Sequence, residues 1–294
     1  MKLSFDAVVE RHRFSLKCTP VTDSKQKVIL YDRSIYPNSF ISEGTDSFGN
    51  QIVYGYEETE HKCFFFDVKG EALCGQEGFS ESGDGRFKDR PDVSLFRYPT
   101  RHTKAGPNLL SYAGKLEERY RNIHKDPGLR AMEEAVSGFA GDYYRYFLHD
   151  RDLWEEAKYS VFVMQQLHRD YAYQRGVTDI GTGAEDAFTY GRGVCQDYAH
   201  IMLAILRCRK IPCRYVTGMM EGEGESHAWV EVYTNGFWLP LDPTNDLVVT
   251  DRHIRIAHGR DYSDCLVNRG IFVGNAGQRQ EITVTVEEKD RSAK

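Results

Sequence analysis

Three residues whose side chains can cooperate in acyl transfer occur in the order Cys195, His227 and Asp242. A cysteine becomes a strong nucleophile as a thiolate, so it needs a base, and the base needs a third group that orients its ring. A histidine and an aspartate can fill those two roles. The sequence therefore predicts a nucleophile, a base and an orienting carboxylate, provided that the fold brings the three side chains together.

The segment 194–209 predicts a helix that begins at the candidate nucleophile. Its apolar residues recur at helical spacing, it contains no Gly or Pro, and Pro212 follows soon after its end. Cys195 then lies in the first turn, where unpaired backbone N–H groups and the helix dipole favour a thiolate and could bind an oxyanion. The alternative for a single cysteine is a structural packing residue. We give that interpretation to two neighbouring cysteines, Cys208 and Cys213.

Two β-prone runs, 227–234 and 237–242, flank the dipeptide Asn235-Gly236. Asn-Gly between such runs is the strongest short-range signal of a β-hairpin and favours a two-residue type I′ turn. The first run begins with the candidate base, and the second ends with the candidate orienter. The sequence therefore predicts an antiparallel hairpin that carries both groups.

The register of this hairpin decides whether the base and the orienter meet. With a two-residue turn, Asp242 lies opposite Trp229, and His227 shares a strand face with Trp229. His227 and Asp242 are then diagonal neighbours, with β-carbons about 7–8 Å apart or somewhat less. A three-residue loop would turn one of them to the other face, and Pro240 indicates an edge or a bulge. The alternative for Asp242-Pro243 is a turn initiator.

The segments around these residues resemble the transglutaminase-like superfamily of papain-fold cysteine enzymes, and are most similar to its bacterial branch of transglutaminase-like cysteine proteases. The matching segments are GVCQDYAHIMLAIL, IPCRYVTGM, SHAWVEVY, LDPTND and HIRIAHGRDYSDC, and residues 46–50 resemble that branch's D-x-F-G-N turn. The resemblance implies an α+β fold. An N-terminal antiparallel β domain (1–98) would precede a transglutaminase-like core (99–294), in which a Cys-bearing helix packs on an antiparallel sheet.

By this resemblance, Cys195 would be the nucleophile, His227 the general base and then acid, and Asp242 the orienter of the imidazole. The implied function is a cysteine-dependent amide hydrolase, a peptidase or amidase, that acts through a thioester on Cys195. Four residues are candidate neighbours of the set: Gln196, Asp197, Trp229 and Asp261. Asp197 is interpreted mainly as a favourable first-turn acid. Part of the GRDYSDC region is interpreted equally as a packing loop or as part of a substrate cleft: His253, His258, Asp261 and Tyr262.

One departure from the animal transglutaminases concerns the oxyanion. Those enzymes use a tryptophan upstream of the cysteine, whereas no tryptophan occurs in 181–192, and Tyr190 or the Gln196 side chain is a candidate replacement. The tryptophans of this chain are Trp154, Trp229 and Trp238. Water is therefore the expected acceptor, and a protein-glutamine transglutaminase with an amine acceptor is the alternative. A second alternative is a catalytically silent peptide-binding module, which the presence of all three residues disfavours.

No metal or other cofactor is expected. The calcium-regulated modules of animal transglutaminases have no recognisable counterpart in this sequence. Zinc ligands in structural sites come in closely spaced pairs. The cysteines and histidine of the candidate region do not have that spacing: Cys195, Cys208, Cys213 and His227.

Composition favours an ordinary globular enzyme. The 294 residues predict two domains, with 40% hydrophobic and 28% charged residues. The net charge of −6, without a basic stripe, disfavours a nucleic-acid partner. No apolar run approaches the roughly 18 residues of a membrane span, and residues 1–14 alternate like a strand instead of forming a signal peptide. Seven cysteines without regular spacing favour a reducing compartment, so we expect a cytoplasmic enzyme with a peptide or protein substrate, in an oligomeric state that stays open.

The elements that must position the site follow from the periodicity of the chain. Residues 1–75 predict a β-rich region, with strands near 3–16, 27–32, 51–57 and 62–69. Residues 42–50 predict a turn, and residues 76–107, rich in Gly, Ser, Asp and Pro, predict a long loop or linker. Helical patterns follow near 108–122, 128–147 and 152–171. Residues 250–280 predict irregular structure, and 281–287 a final strand.

Overall fold

The computed structural model describes residues 1–23, 25–74, 91–122, 151–234, 237–249 and 251–289. The helix predicted near 128–147 and the Asn235-Gly236 turn lie outside these residues. Residues 76–90 of the linker predicted over 76–107 lie outside them as well. The part of the linker that is described begins with a short helix and a 3₁₀ turn, α1 (Pro91–Ser94) and Leu95–Arg97.

The N-terminal region is an antiparallel sheet built around its long first strand, β1 (Lys2–Leu16). The next strands are β2 (Gln26–Tyr36), β3 (Phe40–Thr45), β4 (Gln51–Glu57) and β5 (His61–Cys74). They are arranged in the order β2-β5-β1-β4-β3. Apolar side chains of β1, β2, β4 and β5 form a separate core, which includes Phe5, Val9, Phe14, Leu16 and Phe64. The predicted strands are present, and the turn predicted over 42–50 was wrong for residues 42–45, which belong to β3.

Two strands from the far end of the chain also pair with β1. They are β14 (Asn268–Val273) and β15 (Gln278–Glu281). The beginning of β1 pairs with both β5 and β15, and the end of β1 pairs with both β4 and β14. The predicted division into 1–98 and 99–294 stays a prediction, and the residues of β14 and β15 contribute to the N-terminal sheet although they follow that division.

The second half of the chain places helices against a five-stranded antiparallel sheet within the described residues. The helices are α2 (Pro107–Arg121), α3 (Arg151–Asp170), α4 (Ala184–Tyr190) and α5 (Cys195–Cys208). The strands of the sheet are β8 (Cys213–Met220), β10 (His227–Thr234), β11 (Phe237–Asp242), β12 (Leu247–Val248) and β13 (His253–Gly259), in the order β12-β11-β10-β8-β13. This is the α+β arrangement that was predicted.

Short pairs of strands complete the fold. β6 (Ala172–Tyr173) pairs in parallel with β7 (Arg192–Gly193), and β9 (Gly222–Gly224) pairs with β16 (Val284–Val286). The prediction of irregular structure over 250–280 was wrong, because β13 and β14 lie there. None of the helices in the described ranges is both long and apolar enough to span a membrane.

The Cys-bearing helix α5 is the centre of the main hydrophobic core. Its residues from Ala199 to Leu206 are buried, and it packs against the face of β10 that carries Ala228, Val230 and Val232. Residues 201–206 are all apolar, so this part of the helix is buried on every side. The position of Cys195 at the start of α5 is therefore fixed by the burial of the rest of the helix.

A buried arginine near the end of α5 ties distant segments to the helix. The Arg207 side chain is 2% exposed and donates hydrogen bonds to uncharged acceptors. These are the backbone oxygens of Phe96, Cys213 and Arg260 and the hydroxyl of Thr103. Because a guanidinium group offers several donors in a fixed plane, it can hold several acceptors that would otherwise be buried without partners.

We expect Arg207→Met to lower the free energy of unfolding by about 2–4 kcal/mol, because it leaves several buried acceptors unsatisfied. Chemical denaturation measures this change. Arg279→Met is the matched control, since the Arg279 side chain is 80% exposed, and it should leave the midpoint nearly unchanged. Equal midpoints for both variants would show that the bonds of Arg207 contribute little to stability.

Candidate active site

Cys195 is the first residue of α5, as the sequence predicted, and its side chain is half-buried. The preceding residue, Val194, has an extended backbone, and its N–H donates to the Asp197 carboxylate over 2.7 Å. The hydroxyl of Thr178 donates to the same carboxylate oxygen over 2.6 Å. Asp197 therefore caps the helix and ties the loop before α4 to the turn that carries the thiol. Burial raises the pKa of Asp197, although both hydrogen bonds favour its charged form.

The hairpin has the predicted register. Thr234 pairs with Phe237, and the same register continues to the pair of Val230 and Leu241. No shift interrupts this pairing at Pro240, whose carbonyl accepts the Val249 N–H on the side away from β10. The proline thus removes no hydrogen bond from the β10–β11 pair. The type of turn at its tip stays a prediction.

The register brings His227 and Asp242 into contact. His227 Nε2 lies 2.7 Å from Asp242 Oδ2, and the Asp242 side chain is fully buried. The other oxygen, Oδ1, accepts the backbone N–H groups of Thr244 and Asn245 over 2.9 and 3.2 Å. Asp242 is therefore both an initiator of the turn after β11 and the hydrogen-bond partner of the histidine, two interpretations that the sequence offered as alternatives.

The charges in the site stabilise a protonated imidazole. Burial alone would lower the pKa of His227, but hydrogen bonds with Asp242 and Cys195, together with their charges, raise it to about 10. Burial would likewise raise the pKa of Asp242, and the hydrogen bonds from His227, His253 and Asn245 instead hold it well below its usual range. The site can thus hold a positive imidazolium between a carboxylate and a thiol at neutral pH, the arrangement that a thiolate nucleophile needs.

The other predicted neighbours lie at different distances from this centre. Trp229 is buried on the face of β10 that carries His227, with ring centroids 6.2 Å apart. Gln196 is half-buried beside Cys195, and Tyr190 is half exposed at the end of α4. The Asp261 carboxylate accepts the Ser263 N–H and caps a short 3₁₀ turn. Roles for these residues in a reaction stay predictions.

The structure also shows the positions of the remaining candidate residues and of the two cysteines interpreted as packing residues. His258 lies on β13, and its N–H donates to the Asn50 side chain. The Tyr262 N–H donates to His200 Nε2 of α5. Cys213 is buried, as expected of a packing residue, whereas Cys208 is exposed, so the packing interpretation was wrong for Cys208. Cys208 is the last residue of α5, and its side chain is exposed although the residues just before it are buried.

Two further residues join Asp242, and neither was assigned to it from the sequence. Asn245 Nδ2 donates to Oδ2 over 2.8 Å, and His253 Nε2 lies 3.4 Å from the same oxygen. The LDPTND motif contains Asn245, so an Asx-type turn was a signal that could have suggested this contact. His253 was considered only as a part of a loop or cleft, because β13 was not predicted.

Within the described residues, His227, Asp242 and His253 form a group that could hold a metal ion, since their ligating atoms lie within 4.8 Å of one another. Both imidazoles point to a single carboxylate oxygen, at 2.7 and 3.4 Å. Ligands around one ion each point to the ion at about 2.0–2.2 Å for zinc. The observed convergence on an oxygen atom is the geometry of hydrogen bonds, and the donor set fits a polar network better than a metal centre.

Comparisons with known proteins identify the family to which the chain is similar. The model of the transglutaminase-like superfamily matches residues 154–243, which contain the three candidate catalytic residues. The model of the bacterial transglutaminase-like N-terminal region matches residues 1–72. Together the two matches cover more than half of the chain.

Relatives and solved structures show how far the similarity extends. An uncharacterized protein of Mycobacterium leprae is 38% identical over 124 residues, which are 39% of this chain and 44% of that protein. One of Mycobacterium tuberculosis is 36% identical over 138 residues, 42% of this chain and 44% of that protein. The matches thus span less than half the length of these curated relatives. A crystal structure of a candidate cysteine protease from Cytophaga hutchinsonii superposes over 98% of this chain and 91% of its own, with a TM-score of 0.61 at 20% identity, and shares the fold. The chain therefore belongs to the transglutaminase-like superfamily and carries the bacterial transglutaminase-like N-terminal region.

Proposed function

We propose that this protein is a cysteine-dependent amide hydrolase, a peptidase or amidase, that acts through a thioester on Cys195. The observation that supports this proposal most directly is the contact of His227 with a fully buried Asp242, in a site where the Cys195 thiol begins α5 and contributes to the raised pKa of His227. A buried carboxylate that orients an imidazole, which in turn contacts a thiol at a helix start, has the parts of a nucleophile–base–orienter set.

The reaction begins with the Cys195 thiolate and the His227 imidazolium. The sulfur attacks the carbonyl carbon of the amide, and a C–S bond forms while the carbonyl oxygen becomes negative. When this intermediate collapses, the C–N bond breaks and His227 gives its proton to the leaving amine. Neutral His227 then takes a proton from water, whose oxygen attacks the thioester carbonyl carbon. The C–S bond breaks, the acid leaves, and the pair of Cys195 thiolate and His227 imidazolium is restored. Asp242 stays ionised and holds the ring throughout.

The start of α5 can stabilise the negative oxygen of the intermediate. Backbone N–H groups in the first turn of a helix have no acceptor within the helix. Val194 donates to Asp197, and the N–H of Asp197 donates to the Val194 carbonyl. The N–H groups of Cys195 and Gln196 lie between them and next to the sulfur, and we assign the oxyanion to these two donors.

The substrate and the setting of the enzyme are part of the same proposal. We expect an amide of a peptide or protein as substrate and water as acceptor. A cytoplasmic location is consistent with the cysteines, because all seven lie in described ranges and none forms a disulfide.

A mixed peptide library, incubated with wild type and Cys195→Ala and read by mass spectrometry, tests the reaction. We expect cleaved or deamidated peptides with wild type only, because the thioester needs the sulfur. A parallel incubation contains a primary amine. Mass gains from amine incorporation that depend on Cys195 would make the protein a transglutaminase instead. An absence of both products would contradict the proposed chemistry.

Thiol reactivity tests the nucleophile without a substrate. We expect Cys195 to react with iodoacetamide near pH 7 at least about tenfold faster than the other six cysteines, because only a thiolate reacts. Cys208 is the matched comparison, since it ends the same helix and its side chain is exposed. The rate at Cys195 should fall in His227→Ala and stay constant at Cys208. Slow, equal rates for all seven cysteines would favour the silent binding module.

The role of Asp242 appears in the pH dependence of the same reaction. The pKa of His227 is raised from 6.5 to about 10, so the imidazolium is present from acid pH up to about pH 10. Asp242→Asn removes the negative charge that helps to raise the pKa of His227, so the imidazolium is lost at a lower pH. Alkylation of Cys195 at pH 8, between the ordinary pKa of His227 and its raised value, should then slow by about tenfold because a neutral imidazole stabilises a thiolate less, with little change at pH 10. Asp186→Asn, on the exposed side of α4, should change neither rate.

A further inference from the structure

The outer edge of the catalytic sheet is covered by two side-chain amides of the N-terminal region. β13 is the last strand in the order β12-β11-β10-β8-β13, and an edge strand presents backbone groups that need partners. Gln26 donates to the Arg255 carbonyl and accepts the Arg255 N–H, both over 2.8 Å. Asn50 makes the same pair of contacts with His258, again at 2.8 Å. Each side-chain amide thus makes the two hydrogen bonds that one residue of a neighbouring strand would make.

Both amides are buried and held in one orientation. Gln26 is 3% exposed and Asn50 1%. The second N–H of Gln26 donates to the Val21 carbonyl over 2.7 Å, and that of Asn50 donates to an Asp46 carboxylate oxygen over 2.9 Å. A flipped amide would place NH₂ against a backbone N–H and oxygen against these acceptors. The network therefore fixes which side of each amide faces β13.

The spacing of these contacts matches an irregularity in β13. The pairing of β13 with β8 shifts between Arg255 and Ala257. In a regular strand, outward-facing backbone groups recur at every second residue. The extra residue of the bulge places the outward-facing groups three residues apart, at Arg255 and His258. Two side chains anchored at separate points of the N-terminal region match that spacing, whereas a regular neighbouring strand would not.

The same strand begins with the second histidine on Asp242. His253 is 5% exposed. The centroid of its ring lies 5.3 Å from that of Trp229 and 5.7 Å from that of His227. In the sheet order, β8 and β10 separate β13 from β11. At Gly218 of β8, a β-carbon would overlap the Trp229 ring and the backbone of Ile254, so glycine gives the ring the space in which it supports both imidazoles. His253 then donates from Nε2 to Asp242.

We propose that His253 is a positioning residue for Asp242, and that Gln26 and Asn50 hold β13 so that His253 stays in place. The N-terminal region is then part of the catalytic unit: it acts on His227 through the edge strand, His253 and Asp242. This inference rests on the proposed function for its effect on Cys195, whereas the contacts of the two amides with β13 do not depend on it.

Two variants with near-isosteric apolar side chains, Gln26→Met and Asn50→Leu, test the proposal singly and together in the full chain. Matched controls are Gln278→Met and Asn38→Leu, whose side chains are exposed in the same region. Hydrogen exchange of the Arg255 and His258 amides should accelerate about tenfold or more in the variant that lacks the corresponding partner. Alkylation of Cys195 by iodoacetamide at pH 6 should slow by about tenfold in the double variant. The controls should alter neither measurement, and the single variants suffice if the double variant does not fold.

A cycle with His253 separates positioning from a general loss of stability. His253→Phe alone should slow the alkylation of Cys195 to a similar degree, and adding Asn50→Leu to it should slow the reaction no further. His253→Gln retains a donor and should keep most of the rate. A further loss in the His253→Phe background, or faster exchange without slower alkylation, would overturn the proposal. If wild-type Cys195 reacts no faster than Cys208, the proposed function fails, and hydrogen exchange still decides whether the amides hold β13.

Discussion

The arrangement of this site depends on one carboxylate, that of Asp242, which is fully buried. Burying an isolated charge costs far more than the stability of a typical domain unless donors surround it. Asp242 obtains its donors from the turn that follows β11, from His227 on β10 and from His253 on β13. The hairpin register brings His227 to Asp242, and the glycine on β8 leaves space for the Trp229 ring beside both imidazoles. The buried charge of Asp242 is therefore stabilised only when the sheet is well ordered, and its hydrogen bond holds the ring of His227 in one orientation.

The parts of the site that could be predicted from sequence are those set by local rules. The start of α5 follows from helical periodicity, and the alignment of His227 with Asp242 follows from a hairpin whose loop length fixes the register. The alternation of apolar and polar residues along the first strands could be recognised from sequence in the same way. These features depend on residues close together in the chain, so a single sequence contains enough information to place them.

The parts that could not be predicted depend on distant contacts. β13 carries polar residues, His253 and Arg255, at buried or half-buried positions, and its bulge interrupts the alternation that identifies a strand. The partners of its outer edge lie 229 and 208 residues away in sequence. Nothing in the composition of 21–26 or 46–50 distinguishes an amide that covers a sheet edge from one in an ordinary turn. The role of His253 was therefore visible only in three dimensions.

The pairing of β1 with β14 and β15 links the two ends of the described chain. During synthesis, the first strand leaves the ribosome well before its two neighbours from the C-terminal segment exist. The N-terminal sheet therefore stays incomplete until the catalytic core has been made, and the amides that cover β13 cannot reach their final positions earlier. The complete sheet thus depends on strands that are translated after α5, so a chain that ended before Asn268 would carry Cys195 without two strands of the N-terminal sheet.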